Sequence, residues 1–203
     1  MNEDLSQLLA RIYDFGTDHD SKIKTHSEQM LNITPDTGQF LSIIIQATRA
    51  KNVLEIGTSD GYSTLWIADA LRNAGGKVTT LEISEKKASL ARDNFGKSGG
   101  LSRCIDLRME DVRVFLGKQP NEFFDFVFLD AERPEYVGYW GDLDRVLRTG
   151  CLLVVDNALS PKPEELTEFF RLVNESGRYT SLVVHIGKGE MIALKQANSP
   201  LTK

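Results

Sequence analysis

Only two cysteines occur in the 203 residues, Cys104 and Cys151. Each sits at the edge of an apolar run, where a small buried thiol is the expected role, so neither a disulfide framework nor a zinc-finger spacing is available. Basic residues are not in excess: 24 Lys and Arg stand against 29 Asp and Glu, for a net charge of −5. That balance gives no general attraction to phosphate backbones or anionic lipid, and a nucleic-acid partner is disfavoured. No apolar run approaches the roughly 20 residues that span a bilayer, so no membrane association is expected. The opening stretch MNEDLSQLLARIYDF lacks the basic flank and continuous apolar centre of a secretory signal, which leaves a cytoplasmic location as the expectation. Internal repeats, low-complexity tracts and linkers are also missing, and a chain of this length fits one domain, residues 1–203.

What is present is alternation. Leu5, Leu8, Leu9 and Ile12 have the spacing of an amphipathic helix ending near Gly16, and its apolar stripe needs a partner in the domain or in a second subunit. The polar stretch GTDHDSKIKTHSEQM reads as an irregular segment or lid, and Pro35 opens a second helix carrying Phe40, Leu41, Ile44 and Ile45. Then NVLEIG, KVTTLE, CIDLRM, DFVFLD and CLLVVD have strand length, and several are apolar on both faces, as buried parallel strands must be. Helical patterns fall between them at Tyr62 to Leu71, at Glu85 to Phe95 behind Ser84, after Asp111, and at Asp142 to Arg148. A helix with Leu166, Phe169, Phe170 and Val173 inward is stopped by Gly177, and SLVVHIG and EMIALK flank Lys188 as a β-hairpin. The pattern predicts an α/β fold: a Rossmann-like, doubly wound, mostly parallel seven-stranded sheet with a C-terminal antiparallel hairpin and extra N-terminal helices.

In such sheets ligands bind beyond the carboxyl ends of the strands. Those ends are acidic here: Glu55 precedes Gly57, Glu82 ends the second run, Glu110 and Asp111 follow the third, Asp130 ends the fourth, and Asp156–Asn157 end the fifth. The stretch VLEIGTSDGYST places Gly61 after Gly57 as G-x-x-x-G, which is not the dinucleotide G-x-G-x-x-G, and it has no Walker lysine. A phosphate-free ligand with a cationic centre suits a small-residue loop among carboxylates; S-adenosylmethionine is one. Glu82, 25 positions after Gly57, stands where a carboxylate can accept both ribose hydroxyls.

GQFLSIIIQATRAKNVLEIGTSDGYST, TLEIS, DFVFLDAERPEY and LLVVDNAL resemble the class I S-adenosylmethionine-dependent O-methyltransferases of the catechol and caffeoyl-coenzyme A type, over roughly Ile33 to Lys195. The resemblance implies a division into an N-terminal helix and acceptor-site segment, 1–34, and a cofactor-binding core, 35–195. It implies that Ile33 and Glu55 border the methionine end, that Gly57, Thr58 and Ser63 line the loop, that Glu82 binds the ribose, and that Ile83 and Glu110 lie by the adenine. Glu55 could instead brace the loop, and Ser63 could cap the next helix.

The same resemblance matches Asp130, Asp156 and Asn157 to metal ligands. Two carboxylates and an amide oxygen are a hard oxygen set suited to Mg²⁺, and chelation favours vicinal hydroxyls on a phenolic ring. Arg133 stands where the family usually carries a lysine that takes the substrate proton; arginine stays protonated and cannot be that base, so a role as oxyanion stabiliser or as a solvent-facing residue remains. Tyr136 and Trp140 offer an aromatic wall or core packing. His185 reads as structural in the last strands, and His19 and His26 as solvated. The leading function is methyl transfer to a metal-chelated hydroxyl of a catechol-like small molecule. A tRNA hydroxyuridine-type O-methyltransferase and a non-catalytic S-adenosylmethionine-binding protein are the alternatives. The resemblance also implies a homodimer, for which the first helix offers an apolar surface.

Overall fold

The computed structural model describes residues 3–197. Strands β1 (Asn52–Ile56), β2 (Lys77–Glu82), β3 (Ile105–Met109), β4 (Phe124–Leu129), β5 (Leu147–Val155), β6 (Tyr179–Val184) and β7 (Glu190–Lys195) form one sheet in the order β3-β2-β1-β4-β5-β7-β6. β1 to β5 pair in parallel, and β7 runs antiparallel between β5 and β6. The expected fold class is the observed one. The chain reverses its direction of travel across the sheet between β1 and β4, which opens a crevice at their carboxyl ends.

Both faces of the sheet are covered, which is why its central strands are apolar without alternation. Phe126 and Phe128 of β4 point to one face, where α1 (Glu3–Lys22), α2 (Pro35–Thr48), α3 (Tyr62–Leu71) and α4 (Glu85–Gly96) contribute Leu8, Leu41, Ile45, Leu65 and Phe95. Val127 and Leu129 point to the other, where α5 (Val112–Lys118), α6 (Tyr136–Val146) and α7 (Thr167–Glu175) supply Phe115, Leu143 and Phe169. The helix starts have local causes. The Thr34 hydroxyl accepts from the Thr37 amide ahead of Pro35, Ser84 does the same for Lys87, and Asp111 receives the amides of Arg113 and Val114.

Four expectations need correction. The first helix runs past Gly16 to Lys22, so half of the stretch read as irregular is helical. Gly16 is buried inside the helix, and a Cβ there would lie 2.5 Å from Asn32 Nδ2, so the glycine permits a close approach and does not mark a stop. The apolar stripe of α1 is spent inside the chain, with Leu5, Leu8, Leu9 and Ile12 at 2–4% exposure, so that stripe is not the one to meet a second copy. α6 begins at Tyr136 and ends at Val146, six residues earlier at its start than Asp142, because Tyr136, Tyr139 and Leu143 pack at helical spacing despite Gly138 and Gly141. His185 lies just past the end of β6 and is exposed. Among the described residues no helix is long and apolar enough to cross a membrane.

Candidate active site

The loop after β1 is held from below. Gly57 and Thr58 both donate their amides to the Leu81 carbonyl, at 3.2 and 3.1 Å. Gly57 adopts φ +110°, and Gly61, at φ +87°, starts α3 in the left-handed region, where a Cβ would run into the Phe95 ring. Behind this loop sits Glu55, completely enclosed. Its carboxylate accepts hydroxyl hydrogen bonds from Ser63 (2.6 Å), Thr64 (2.5 Å) and Thr80 (2.6 Å). Burial drives its pKa up to about 7 against the pull of those three donors. Glu55 is therefore the brace of the loop from the protein side and does not line the cleft, unlike Ser63, which does both.

The cleft at the strand ends has a volume of about 900 Å³. Ile33, Gly57, Thr58, Ser63, Glu82, Ile83, Glu110, Asp130, Arg133 and Asn157 all line it, so most of the expected positions are brought to one cleft. Glu82 is oriented by three backbone amides: Oε2 accepts from Ser59 at 2.9 Å, and Oε1 from Ile83 and Ser84 at 2.9 and 2.8 Å. Ile83 is 75% exposed, a large apolar side chain on the cleft rim with no protein partner to cover it. Glu110, which lines the same cleft, is paired with Lys118.

The N-terminal wall could not be foreseen from the sequence. Asp20, on the last turns of α1, accepts the amides of Met30 and Leu31 at 2.7 and 2.8 Å. Leu31 has φ +56°, and the Ser59 hydroxyl donates to the Met30 carbonyl at 2.7 Å. Asn32 donates to Asp60, a buried loop carboxyl whose pKa burial raises to about 6. Residues 30–32 are thus tied to both α1 and the glycine loop. A carboxylate fixing amides ten and eleven residues later leaves no periodic trace.

Beyond β4 and β5 the side chains of Asp130, Asp156 and Asn157 meet. The Asn157 amide donates to Asp130 Oδ1 at 3.4 Å and to Asp156 Oδ2. Asp130 lines the cleft, and Asp156, 4% exposed, does not. Burial, and then the charge of Asp156, pushes the Asp130 pKa well up; burial also raises that of Asp156. Tyr136 braces the turn after Asp130: it is buried, and its hydroxyl donates to the Ala131 carbonyl at 2.9 Å and accepts the Ala131 amide at 2.7 Å.

Two residues offered as an aromatic wall are placed in the core. Trp140 packs edge-on to Phe169, centroids 5.8 Å apart, and against Tyr179 in the core, so neither it nor Tyr136 forms an aromatic wall; Tyr139 lines the cleft instead. The Arg133 guanidinium is committed to the loop before α7. It pairs with Glu165 at 3.1 Å and donates to the Pro161 carbonyl. His26 faces Glu132 at 3.9 Å across the cleft mouth, both exposed, and His19 pairs with Asp20 at 3.2 Å.

A glycine loop with a buried acid, an amide-oriented acid after β2 and an Asp-Asp-Asn group after β4 and β5 coincide with a family match over almost the same residues: the O-methyltransferase family profile covers 17–194. The chain belongs to that family. Its members are class I S-adenosylmethionine-dependent enzymes. Relatives include a catechol O-methyltransferase from Niastella koreensis, 36% identical over 132 residues, covering 64% of this chain and 59% of that protein. Another from Mycobacterium tuberculosis is 36% identical over 129 residues, covering 63% and 57%. The chain thus aligns with less than two thirds of the length of these two relatives. Among solved structures, the O-methyltransferase from Bacillus cereus in complex with SAH superposes with a TM-score of 0.78 at 27% identity, covering 94% of this chain and 91% of that one.

Whether an O-methyltransferase-type cation fits these residues is testable on one atom. Asn157 Oδ1 is buried and has no hydrogen-bond partner, an arrangement that normally costs stability. Rotation of that amide exchanges its oxygen and nitrogen, turning the orphaned oxygen toward two crowded carboxylates. An all-oxygen set with surplus negative charge suits a hard divalent cation. Among the described residues no three His, Cys, Asp or Glu side chains close into a ready-made cage, so such a site is open and depends on the amide.

Proposed function

We propose that this chain moves the methyl group of S-adenosylmethionine to a hydroxyl of a catechol-like small molecule, the acceptor being chelated through a divalent cation, Mg²⁺ by donor type. The observation that carries this reading is the meeting of Asp130, Asp156 and Asn157, two of which, Asp130 and Asn157, line the same cleft as Glu82 and Ile83. The names of the two catechol O-methyltransferase relatives agree with it.

In this reading Glu82, its carboxylate already fixed by three amides, accepts the ribose hydroxyls, and Ile83 supplies an apolar surface for the adenine with Glu110 at its edge. Ile33 and Ser63 border the methionine end. Asp130, Asp156 and Asn157 would hold the cation. A cation held there supplies Lewis-acid polarisation, which lowers the pKa of an acceptor hydroxyl. Methyl transfer is then an in-line displacement: the acceptor hydroxyl gives up its proton to solvent, and the new carbon–oxygen bond forms as the carbon–sulfur bond breaks, giving the methyl ether and S-adenosylhomocysteine. Fixing donor and acceptor in near-attack geometry is worth about 7–11 kcal/mol, and the cleft walls supply that. Arg133 supports the acceptor side by holding the loop through Pro161 and Glu165.

The test is transfer of labelled methyl from S-adenosylmethionine to catechol and, in parallel, to undermodified tRNA. Catechol should be labelled, and the label should be lost on chelation of divalent metal and in Asp156→Ala. Label in tRNA alone would replace the small-molecule reading, and catechol methylation surviving both treatments would end the metal reading.

A further inference from the structure

Asp156 and Glu190 face one another across the β5–β7 ladder. The last antiparallel pair is Val155 with Met191, so the next step of the same register sets one carboxylate against the other. Like charges opposite one another on paired strands repel. Glu190 is also completely buried. Its Oε1 accepts the Thr37 hydroxyl at 3.0 Å, while Oε2, on the same carboxylate, has no hydrogen-bond partner. An unpartnered carboxylate oxygen in the interior needs a reason.

Two residues earlier, Lys188 sits in the tight turn between Gly187 and Gly189, both at positive φ. It lines the same cleft, and its charge acts on Asp130 and Asp156 together. One hairpin therefore brings an acid and a base to the same group. With all three carboxyl groups ionised against one ammonium, the group would carry a surplus of two negative charges, the charge of one divalent cation. Without Glu190, the same cation beside Lys188 would leave the site positive.

We propose that Glu190 and Lys188 form a charge-setting pair for the cation site of Asp130, Asp156 and Asn157, Glu190 raising its affinity for a divalent cation and Lys188 lowering it. The inference rests on the metal reading above. Glu190 is a positioning residue: Thr37 fixes it, and it acts through Asp156, as groups just behind metal ligands do when they orient them and tune their charge.

The experiment is direct titration of the full chain with Mn²⁺, free ion read by electron paramagnetic resonance, for the parent protein and the variants Glu190→Gln, Lys188→Met and Asp156→Asn. Glu190→Gln should weaken binding by about 10–100-fold, the range for groups behind metal ligands, and Lys188→Met should tighten it. A purely structural role would move both in the same direction, so opposite signs are the deciding readout. Because Lys188 is partly exposed, its variant keeps the test open if Glu190→Gln fails to fold. Equal signs, or both variants within about twofold of the parent while Asp156→Asn abolishes binding, overturn the pair and leave the metal site standing. A parent protein that takes up no Mn²⁺ overturns both.

Discussion

Gly57 and Asp130 touch through their backbones: a Cβ added at position 57 would lie 1.8 Å from the Asp130 carbonyl oxygen. The loop that would hold the cofactor and the strand end that carries the acid cluster are therefore packed as one unit. Its rigidity comes from the absence of a side chain.

That contact makes Gly57→Ala a severe substitution. The clash is with backbone, which cannot swing aside, and φ +110° is already outside the range of an alanine. Denaturant unfolding should show a loss of about 3 kcal/mol or more, with S-adenosylmethionine binding falling alongside. A variant within about 0.5 kcal/mol of the parent would mean that the crossing is looser than described.

Glu55 predicts a pH dependence with a definite sign. Its pKa is about 7 in the folded chain against a reference value of 4.5, with burial as the main cause and the nearby Glu82 charge adding to it. Between those values the unfolded chain has released the proton and the folded chain still holds it. Stability from this group is thus full below about pH 4.5, falls as pH rises to about 7, and is flat beyond. The displacement amounts to about 3 kcal/mol. Glu55→Gln should make unfolding free energy fall less steeply between pH 5 and 7; a residual slope of the same sign should remain from Asp60, raised to about 6 by burial, and from Asp130 and Asp156, which burial also raises. Identical pH profiles for the two proteins would remove Glu55 as its source.

The architecture was legible because the central strands are buried on both faces and so read as short unbroken apolar runs, and because the acids at their exits cannot be explained by packing. Glu82, Asp130 and Asn157 follow from that. Missed features depend on partners distant in sequence. Asp20 holding residues 30 and 31, Gly16 admitting Asn32, and Glu190 standing opposite Asp156 are set by tertiary register, which a single strand or helix does not encode. The start of α6 was hidden for another reason: Gly138 and Gly141 lower local helix propensity, and Tyr136 and Tyr139 overcome it by packing.

Arg133 supplies the last prediction, on function. Its side chain is 12% exposed and its donors go to Glu165 and to the Pro161 carbonyl, so it fastens the loop before α7, which in the proposed reading borders the acceptor, and makes no hydrogen bond to the acid cluster. Arg133→Ala should cost about 1–3 kcal/mol, the range for charge-assisted bonds to a partly buried partner, and should raise the acceptor KM by several-fold with a smaller change in kcat. Arg133→Lys should recover part of both, since an ammonium can meet Glu165 or the carbonyl but lacks the planar fork that spans them. The split between KM and kcat decides the matter. A fall in kcat of about 100-fold with KM unchanged would signal stabilisation of the transition state alone, and would move Arg133 from the loop to the reacting oxygen.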